Sequence, residues 1–211
     1  MKIGVIGSGT VAQTLAAGFI RHGHATMMGT RDQAKLKEWA AAQPQAQLGS
    51  PAEAAAFAEV AVLAVKGSAA EVIVRQVGKA LNAKVVIDAT NPIADLPPEK
   101  GVLRFFTSTD LSLMEQLQRE CPGGRFVKAF NSVGAVKMVN PTFAGGPPTM
   151  FICGNDSAAK QTVSGLLAQF GWEVADMGGV EAARAIEPLC ILWCLPGLLR
   201  NEWAHAFKLL K

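Results

Sequence analysis

The 211-residue sequence contains no tyrosine, relatively few charged residues and no long uninterrupted apolar run. The lack of tyrosine excludes every mechanism that needs a tyrosine acid, including the Tyr-x-x-x-Lys chemistry of short-chain dehydrogenases. The longest strongly apolar run, Leu189–Leu199, is too short for a membrane span and contains Pro196-Gly197, so no membrane association is expected. The first residues, Met1–Val5, lack the long apolar stretch of a signal peptide.

Four cysteines are present, without CxxC or paired zinc-ligand spacing, so we expect reduced thiols, no metal site and a cytoplasmic location. A net charge of +3 is too small to indicate nucleic-acid binding but suits small anionic ligands. With 50% hydrophobic residues the chain has enough apolar content for a folded core. These features indicate a protein that binds small molecules.

Apolar stretches of strand length alternate with helix-length segments, which predicts an α/β fold with a doubly wound parallel Rossmann sheet. We expect an NADP-binding domain over residues 1–140 and a small C-terminal α+β or helical cap, with a dimerisation segment, over residues 141–211. The predicted elements are strands at Lys2–Ile6, Ala25–Gly29, Ala46–Leu48, Glu59–Val65, Lys84–Asp88, Arg125–Phe130, Thr149–Cys153 and Trp172–Asp176, and helices that include Thr10–Arg21, Asp32–Ala42 and Ser68–Leu81.

The C-terminal segment after Gly178-Gly179 is predicted to be largely helical and apolar. Pro188 is expected to kink it and Pro196-Gly197 to break it. A long proline-rich loop, Pro92–Asp110, is expected at the carboxyl end of the sheet, where such loops often contribute to a site.

A glycine-rich turn, Gly7-Ser8-Gly9-Thr10-Val11-Ala12, follows the first predicted strand and opens the first predicted helix. In such a turn Gly7 permits the tight bend, Gly9 lets backbone N–H groups approach a pyrophosphate, and Ala12 allows close helix–strand packing. The pattern alone is a weak signal. Its position at the head of a series of βα units predicts a dinucleotide site.

The end of the second predicted strand distinguishes NAD(H) from NADP(H). An NAD-binding fold usually has Asp or Glu about twenty residues after the loop, where it binds the ribose 2′-hydroxyl. This chain has Gly29 and then Thr30-Arg31, whose hydroxyl and guanidinium suit a 2′-phosphate, and Lys35 follows one helical turn later. Asp32 is interpreted as the N-cap of the next helix. The sequence therefore predicts NADP(H) as the cofactor.

Motifs along essentially the whole chain are shared with one known family. They are MKIGVIGSGTVAQTLAAGFIRHGHATMMGTRD, AVLAVKGSAA, VVIDATNPI, VKAFNSVGA, FICGNDSAAKQTV and DMGGVEAARAIEPL, followed by a closing helix through FKLLK. In these stretches the chain resembles the NADP-dependent coenzyme F420 reductases. It also resembles the oxidoreductase domain of the STEAP metalloreductases and the related pyrroline-5-carboxylate reductases.

The resemblance implies roles for particular residues. The implied cofactor contacts are Gly7, Ser8, Gly9, Thr10, Val11 and Ala12 at the pyrophosphate loop, Thr30, Arg31 and Lys35 at the 2′-phosphate, Val65, Lys66 and Gly67 at the adenosine and ribose, and Thr90, Asn91, Ile93, Asn131 and Ala135 at the nicotinamide. It also places His205, on the final helix, near the second substrate. His205 and Asn131 are therefore the candidate catalytic residues.

The reaction that the resemblance implies is direct hydride transfer between the nicotinamide of NADP(H) and a flat ring acceptor, coenzyme F420. Two other enzymatic readings are NADPH-dependent reduction of a flavin and reduction of an imine. A non-catalytic NADP(H)-binding redox sensor is an alternative of another class. The apolar final helices predict a homodimer, and the other partner is a small-molecule acceptor.

Three further groups of residues are interpreted as structural. His22 and His24 stand where the first helix ends and are expected to cap it. Cys190 and Cys194 lie among apolar residues and are expected in the core. Arg184 and Glu187, spaced i, i+3, are expected to pair with each other.

Overall fold

Short, largely buried strands form the central sheet in the computed structural model, which describes residues 1–210. The strands Val60–Leu63 and Val85–Asp88 are buried at every position, as expected where helices cover both faces of a parallel sheet. The six parallel strands of the central sheet are β1 Lys2–Ile6, β2 Ala25–Gly29, β3 Gln47–Gly49, β4 Val60–Leu63, β5 Val85–Asp88 and β6 Arg125–Lys128. Their order, β3-β2-β1-β4-β5-β6, confirms the predicted doubly wound Rossmann sheet.

Helices follow the strands and alternate with them along the chain. They are α1 Thr10–Arg21, α2 Lys37–Ala42, α3 Pro51–Phe57, α4 Gly67–Leu81, α5 Leu113–Glu120, α6 Ser157–Gln169, α7 Ala183–Ile186 and α8 Leu189–Arg200. Ser50 and Ser112 begin α3 and α5 with capping boxes, in which the serine side chain and a glutamate three residues later satisfy each other's backbone N–H groups.

A smaller unit follows the central sheet. Strands β7 Thr149–Ile152 and β8 Glu173–Asp176 pair in parallel and are connected by α6, which confirms the predicted βαβ-like arrangement. The backbone N–H of Lys128 at the end of β6 donates to the carbonyl of Cys153, so this unit continues from the edge of the central sheet. One hydrophobic cluster contains residues of both sheets and of α1 and α6. The predicted boundary near residue 140 stays a prediction.

Two predicted helices differ from the structure. The predicted helix Asp32–Ala42 is a 3-10 helix, Gln33–Leu36, followed by α2, although Asp32 caps its start as predicted by accepting from the N–H of Ala34. Pro196-Gly197 does not break the last helix, because α8 runs through Pro196 to Arg200 and ends at Asn201 in the left-handed conformation. Pro188, which was expected to kink this segment, stands between α7 and α8 as the N-cap of α8.

The prediction of a closing helix through FKLLK is wrong for the described residues. The segment from Asn201 to Leu210, called the C-terminal tail here, contains no helix, and its backbone is held at Thr149 by Phe207 and Leu209. Hydrogen bonds to the start of β7 thus replace the expected helical turn. Lys211 lies outside the described residues.

The segment Val180–Arg200 has the length and apolar composition of a helix that could cross a membrane, longer than the run considered in the sequence. About a third of it is buried inside the protein, and a core helix meets the same criteria, so length and composition do not assign it to a membrane.

Candidate functional site

The glycine-rich turn connects the carboxyl end of β1 to the start of α1. The N–H of Gly7 donates to the carbonyl of Gly29, and Gly7 has a φ of +139° that suits glycine. A Cβ at Gly7 would lie 2.2 Å from the carbonyl oxygen of Ala64, so the turn depends on this glycine. Ala12 is fully buried beneath it. The predicted roles of Gly7 and Ala12 in backbone packing agree with these contacts.

The N-terminus of α1 is open in the way a bound anion requires. Gly9 occupies the N-cap position without a side-chain cap, and a Cβ there would meet no atom within 4 Å. The first-turn N–H groups of α1 therefore receive no hydrogen bond from an N-cap side chain, which leaves them available to an anion. Thr10 and Val11 begin this helix, and their side chains are exposed and half-buried respectively.

A groove runs from this turn across the carboxyl ends of β1, β2 and β4. Its cavity of about 240 Å³ is lined by Ile6, Gly7, Ser8, Gly9, Gly29, Thr30, Arg31, Pro51, Ala64, Val65, Lys66, Ala69 and Ile73. The structure thus brings together seven predicted cofactor residues, Gly7, Ser8, Gly9, Thr30, Arg31, Val65 and Lys66. The groove lies where the strand order reverses, which is the usual ligand position in such sheets.

Basic and hydroxyl side chains stand at the β2 end of the groove. Arg31 is exposed beside the buried Thr30, and Lys35 is exposed on the following 3-10 helix. The carboxylate of Asp32 is used by the N–H of Ala34. At this end the groove is therefore lined by the guanidinium of Arg31, where an NAD site would have a carboxylate.

Lys66 lies at the opposite wall of the groove, directly before α4. Its ammonium pairs with Asp95 of the long loop after β5, and both side chains are more than half exposed. Gly67 is buried, and a Cβ on it would meet the carbonyl of Asn91 at 1.9 Å. This close approach joins the start of α4 to the chain that leaves β5.

The ends of β5 and β6 bring Asn91 and Asn131 into contact, outside the lining of the groove. The Asn91 side chain donates to the Asn131 carbonyl at 2.8 Å, and Asn131 Nδ2 donates to the Ile186 carbonyl at 2.9 Å. Asn131 is 4% exposed, and its Oδ1 has no hydrogen-bond partner among residues 1–210. A buried acceptor without a donor is uncommon in folded proteins and marks Asn131 as a candidate functional residue.

The other predicted nicotinamide contacts surround this pair. Thr90 is buried, and its hydroxyl donates to Asp88 at 2.6 Å. Ile93 begins the long loop and pairs with Phe105, and Ala135 opens a 3-10 turn packed against the core. These residues lie in the loops that follow β5 and β6.

Sequence reasoning missed a buried ionic cluster below this pair, formed by Asp88, Lys128 and Glu187. Lys128 is fully buried, and its ammonium lies 2.6 Å from Asp88 Oδ2, 2.9 Å from Glu187 Oε1 and 3.0 Å from the Thr90 carbonyl. Burial lowers the pKa of Lys128, but the two carboxylates outweigh burial and hold it above its ordinary value. Lys128 is therefore charged at neutral pH.

The signal for this cluster was present in the strand sequences. The strands β5 and β6 end in Asp88 and Lys128, opposite charges that follow buried apolar residues and that the parallel register places side by side. Glu187 is also buried and accepts the N–H groups of Leu113 and Met114 at the start of α5. The predicted Arg184–Glu187 pair is wrong, because Glu187 faces Lys128 whereas Arg184 binds Glu115.

The prediction that His205 lies on a helix is wrong. His205 belongs to the C-terminal tail and stacks on Trp193 of α8, with ring centroids 5.1 Å apart. Its Nε2 contacts the Trp193 carbonyl at 2.9 Å, while the Trp193 indole donates to the His205 carbonyl. These contacts fasten the tail to α8, and a role of His205 at the second substrate stays a prediction.

The cysteines and the two other histidines are part of the packing. Cys190 is buried and Cys194 half-buried on α8. His22 follows α1 as its C-cap and contacts Asn140, and His24 contacts Gln169. The structural interpretation of these four residues agrees with their positions.

Comparison with known proteins identifies relatives that match nearly the whole chain. The family model described as "NADP oxidoreductase coenzyme F420-dependent" matches residues 2–92. The F420-dependent NADP reductase of Methanothermobacter marburgensis is 32% identical over 220 residues, covering 95% of this chain and 96% of that protein. Metalloreductase STEAP3 of Rattus norvegicus is 31% identical over 204 residues, covering 94% of this chain but only 39% of that protein.

Solved structures agree with these relatives. A chain from Arthrobacter sp. FB24, whose description proposes an F420-dependent NADP reductase, has 32% identity and a TM-score of 0.93 with full coverage of both chains. A pyrroline-5-carboxylate reductase from Coxiella burnetii superposes with a TM-score of 0.64 at 16% identity, over 89% of this chain and 63% of that one. At that identity the second likeness concerns the fold alone.

The fold, the groove and these relatives define an NADP-dependent oxidoreductase. The sequence reading of an NADP(H)-dependent enzyme is thereby confirmed. The chain belongs to the F420-dependent NADP reductase family, as its motifs indicated.

Proposed function

We propose that this protein transfers a hydride between C4 of the NADP(H) nicotinamide and a ring carbon of coenzyme F420. In the reducing direction the C–H bond of NADPH breaks, the hydride bonds to the deazaflavin ring, and the ring system takes one proton from solvent. The products are NADP⁺ and reduced F420. The support for F420 is the family relative from Methanothermobacter marburgensis, which this chain matches over almost its whole length.

The observation that favours direct hydride transfer is the state of the polar groups around Asn91 and Asn131. The Thr90 hydroxyl is used by Asp88, and Lys128 and Glu187 are enclosed in their ionic cluster. Because Thr90, Lys128 and Glu187 are all engaged, none of them serves as a proton donor, and the proton that the reduced acceptor takes comes from solvent. What the site offers to hydride transfer is positioning, and the two neutral amides of Asn91 and Asn131 suit that role.

The residues present fit an NADP(H) molecule along the groove. The open first turn of α1 suits the pyrophosphate, and Arg31 with Lys35 suits the 2′-phosphate. The unpartnered Asn131 Oδ1 suits the N–H of the nicotinamide carboxamide. NADPH, when bound, supplies the hydride.

Anaerobic loss of NADPH absorbance tests the acceptor. The assay is run with oxidised F420 beside FMN, FAD and a cyclic imine at equal concentrations. We expect turnover with F420 well above that with the others. Turnover with a flavin or the imine alone would replace F420 as the acceptor, and NADPH binding without turnover on any of them would support a redox sensor.

We also propose that the protein forms a homodimer through an apolar surface on α8 and the tail. Leu192 and Leu199 are more than half exposed there, and Trp203 is 41% exposed. Contiguous exposed apolar groups are typical of subunit contacts. Light scattering of the protein and of Leu192→Arg tests this, since a dimer converted to a monomer is expected and a monomeric parent would contradict it.

A further inference from the structure

The ionic cluster of Asp88, Lys128 and Glu187 is connected to every segment that holds Asn91 and Asn131. Lys128 Nζ donates directly to the Thr90 carbonyl, one peptide before Asn91. Along β6 and the loop after it, Asn131 follows Lys128 by three residues. Glu187 is the neighbour of Ile186, whose carbonyl accepts from Asn131. One ammonium thus joins the ends of two strands to the junction of α7 and α8.

The cluster also fixes the start of α5. Both oxygens of Glu187 accept backbone N–H groups of that helix at 3.0 Å, and one of them also contacts Lys128. The long loop between β5 and α5 is therefore held at both ends, by Lys128 at Thr90 and by Glu187 at Leu113. No member of the cluster reaches solvent, since Asp88 and Lys128 are 0% and Glu187 2% exposed.

We propose that Lys128 is a positioning residue that aligns Asn91 and Asn131 for the nicotinamide half of NADP(H). It acts through the Thr90 carbonyl and through Glu187, and it contacts neither the cofactor nor the acceptor. The proposal rests on the placement of the nicotinamide beside Asn131 under the proposed function. It does not depend on which acceptor is used.

The choice of variant follows from the charges. Lys128→Met leaves two carboxylates buried without a counter-ion, and losing one partner of a buried pair is strongly destabilising. Glu187→Gln is milder, because the Asp88–Lys128 pair remains and the side chain keeps its size. It weakens the connection to α5 and to the α7–α8 junction while leaving a neutral pair at the strand ends.

A matched control is Lys84→Met. Lys84 is another lysine that donates to backbone carbonyls, those of Ala55 and Ala56. It directly precedes β5 and so lies at the amino end of that strand, whereas the cluster lies at the carboxyl end. Its loss is expected to lower stability without altering the site. This separates positioning from general loosening of the fold.

The test compares the affinities of NADPH and 2′,5′-ADP by calorimetry for the parent, Glu187→Gln, Lys128→Met and Lys84→Met. The second ligand contains the adenosine half with its 2′-phosphate and lacks the nicotinamide. We expect the parent to bind NADPH more tightly than 2′,5′-ADP. That preference should shrink at least about tenfold in Glu187→Gln, corresponding to about 1.4 kcal/mol, with 2′,5′-ADP affinity unchanged.

The possible results distinguish the placement of the nicotinamide beside Asn131 from the positioning role of Lys128. If the parent shows no preference for NADPH, the placement of the nicotinamide is wrong. If the parent prefers NADPH to 2′,5′-ADP and both Glu187→Gln and Lys128→Met keep that preference, Lys128 has no positioning role. If Lys84→Met loses the preference for NADPH to the same extent as Glu187→Gln, the effect reflects stability alone and the proposal is overturned. If Lys128→Met does not fold, Glu187→Gln decides.

Discussion

Gly7 and Gly9 stand two residues apart in one turn but have opposite surroundings. Gly7 is packed against the Ala64 carbonyl, whereas the space beside Gly9 is empty. The first glycine therefore serves the fold and the second leaves room for a ligand. The sequence pattern already assigns the tight bend to Gly7 and the approach of a pyrophosphate to Gly9, and the second role stays a prediction.

Substituting Gly9 by Ala should damage binding without damaging the fold. Its φ of −77° suits alanine, so we expect a stability loss of no more than about 1 kcal/mol from the weaker N-cap. The new methyl group would occupy the space proposed for the pyrophosphate, and NADPH affinity should fall at least about tenfold. Calorimetric binding and urea unfolding measure the two effects.

Gly7→Ala is the contrasting control. It forces a Cβ toward a carbonyl at a positive φ, so a loss of stability above about 2 kcal/mol is expected. Unchanged NADPH binding in a folded Gly9→Ala protein would contradict the assignment of the anion site.

Arg31 is expected to discriminate between the two nicotinamide cofactors. Arg31→Ala should weaken NADPH by about ten- to a hundredfold, the effect of losing hydrogen bonds to a charged phosphate, and leave NADH unchanged. Arg21→Ala, at the far end of α1, removes the same charge away from the groove and serves as control. Equal losses of NADPH and NADH in Arg31→Ala would refute the 2′-phosphate assignment.

The ionic cluster was missed because its members are distant in sequence, although the charged ends of two strands gave a signal for it. Asp88 and Lys128 are forty residues apart and meet only when β5 and β6 pair, and Glu187 comes from a third segment. The N-terminal half of the site is different, since Gly7 to Ala12 form one local turn. A local motif thus pointed to the glycine-rich turn, whereas the ionic cluster forms only when distant segments pair.

Among the secondary-structure elements, those at the N-terminal end of the chain are predicted well from the sequence and those at the C-terminal end poorly. The bounds of β1, α1 and β2 agree with the sequence prediction. Pro196 was expected to break α8, but a proline removes only one hydrogen bond and the packed helix continues past it. The C-terminal tail has helix-like apolar spacing, yet contacts with Thr149 and Trp193 hold it in another conformation.

The contact between α5 and α7 should be sensitive to acid. Hydrogen bonding by Arg184, the largest effect, holds the pKa of Glu115 at about 2. Because this pKa is lower than in an unfolded chain, the stabilisation is complete above about pH 4.5 and is lost as the pH falls toward 2. Arg184 is partly exposed, so we expect about 2 kcal/mol.

Glu115→Gln isolates this charge, because glutamine preserves the capping box with Ser112. Urea unfolding of parent and variant should differ by that amount at pH 7 and converge near pH 2. A constant difference across this range would mean that the Glu115 charge contributes nothing.

For the molecule as a whole, the two sheets share hydrophobic packing. One cluster joins Val5 of β1 and Phe19 of α1 to Ile152 of β7 and Phe170 after α6. The smaller unit therefore has little core of its own.

Shared packing predicts a single cooperative unfolding transition. Tryptophan fluorescence and far-UV circular dichroism should give coincident thermal curves, since Trp39 packs against the same cluster that contains Trp172. A variant that weakens only the smaller unit's contact, Phe170→Ala, should shift both curves together. Two separated transitions would contradict a common core.

Deuterium-labelled NADPH tests whether the hydride passes directly from the nicotinamide to a ring carbon of F420. The protein is incubated anaerobically with oxidised F420 and NADPH carrying deuterium at the transferred C4 position, and the reduced F420 is examined by mass spectrometry and NMR. We expect one deuterium bound to a ring carbon of the product. Reduced F420 without deuterium, or no reduction at all, would contradict this expectation.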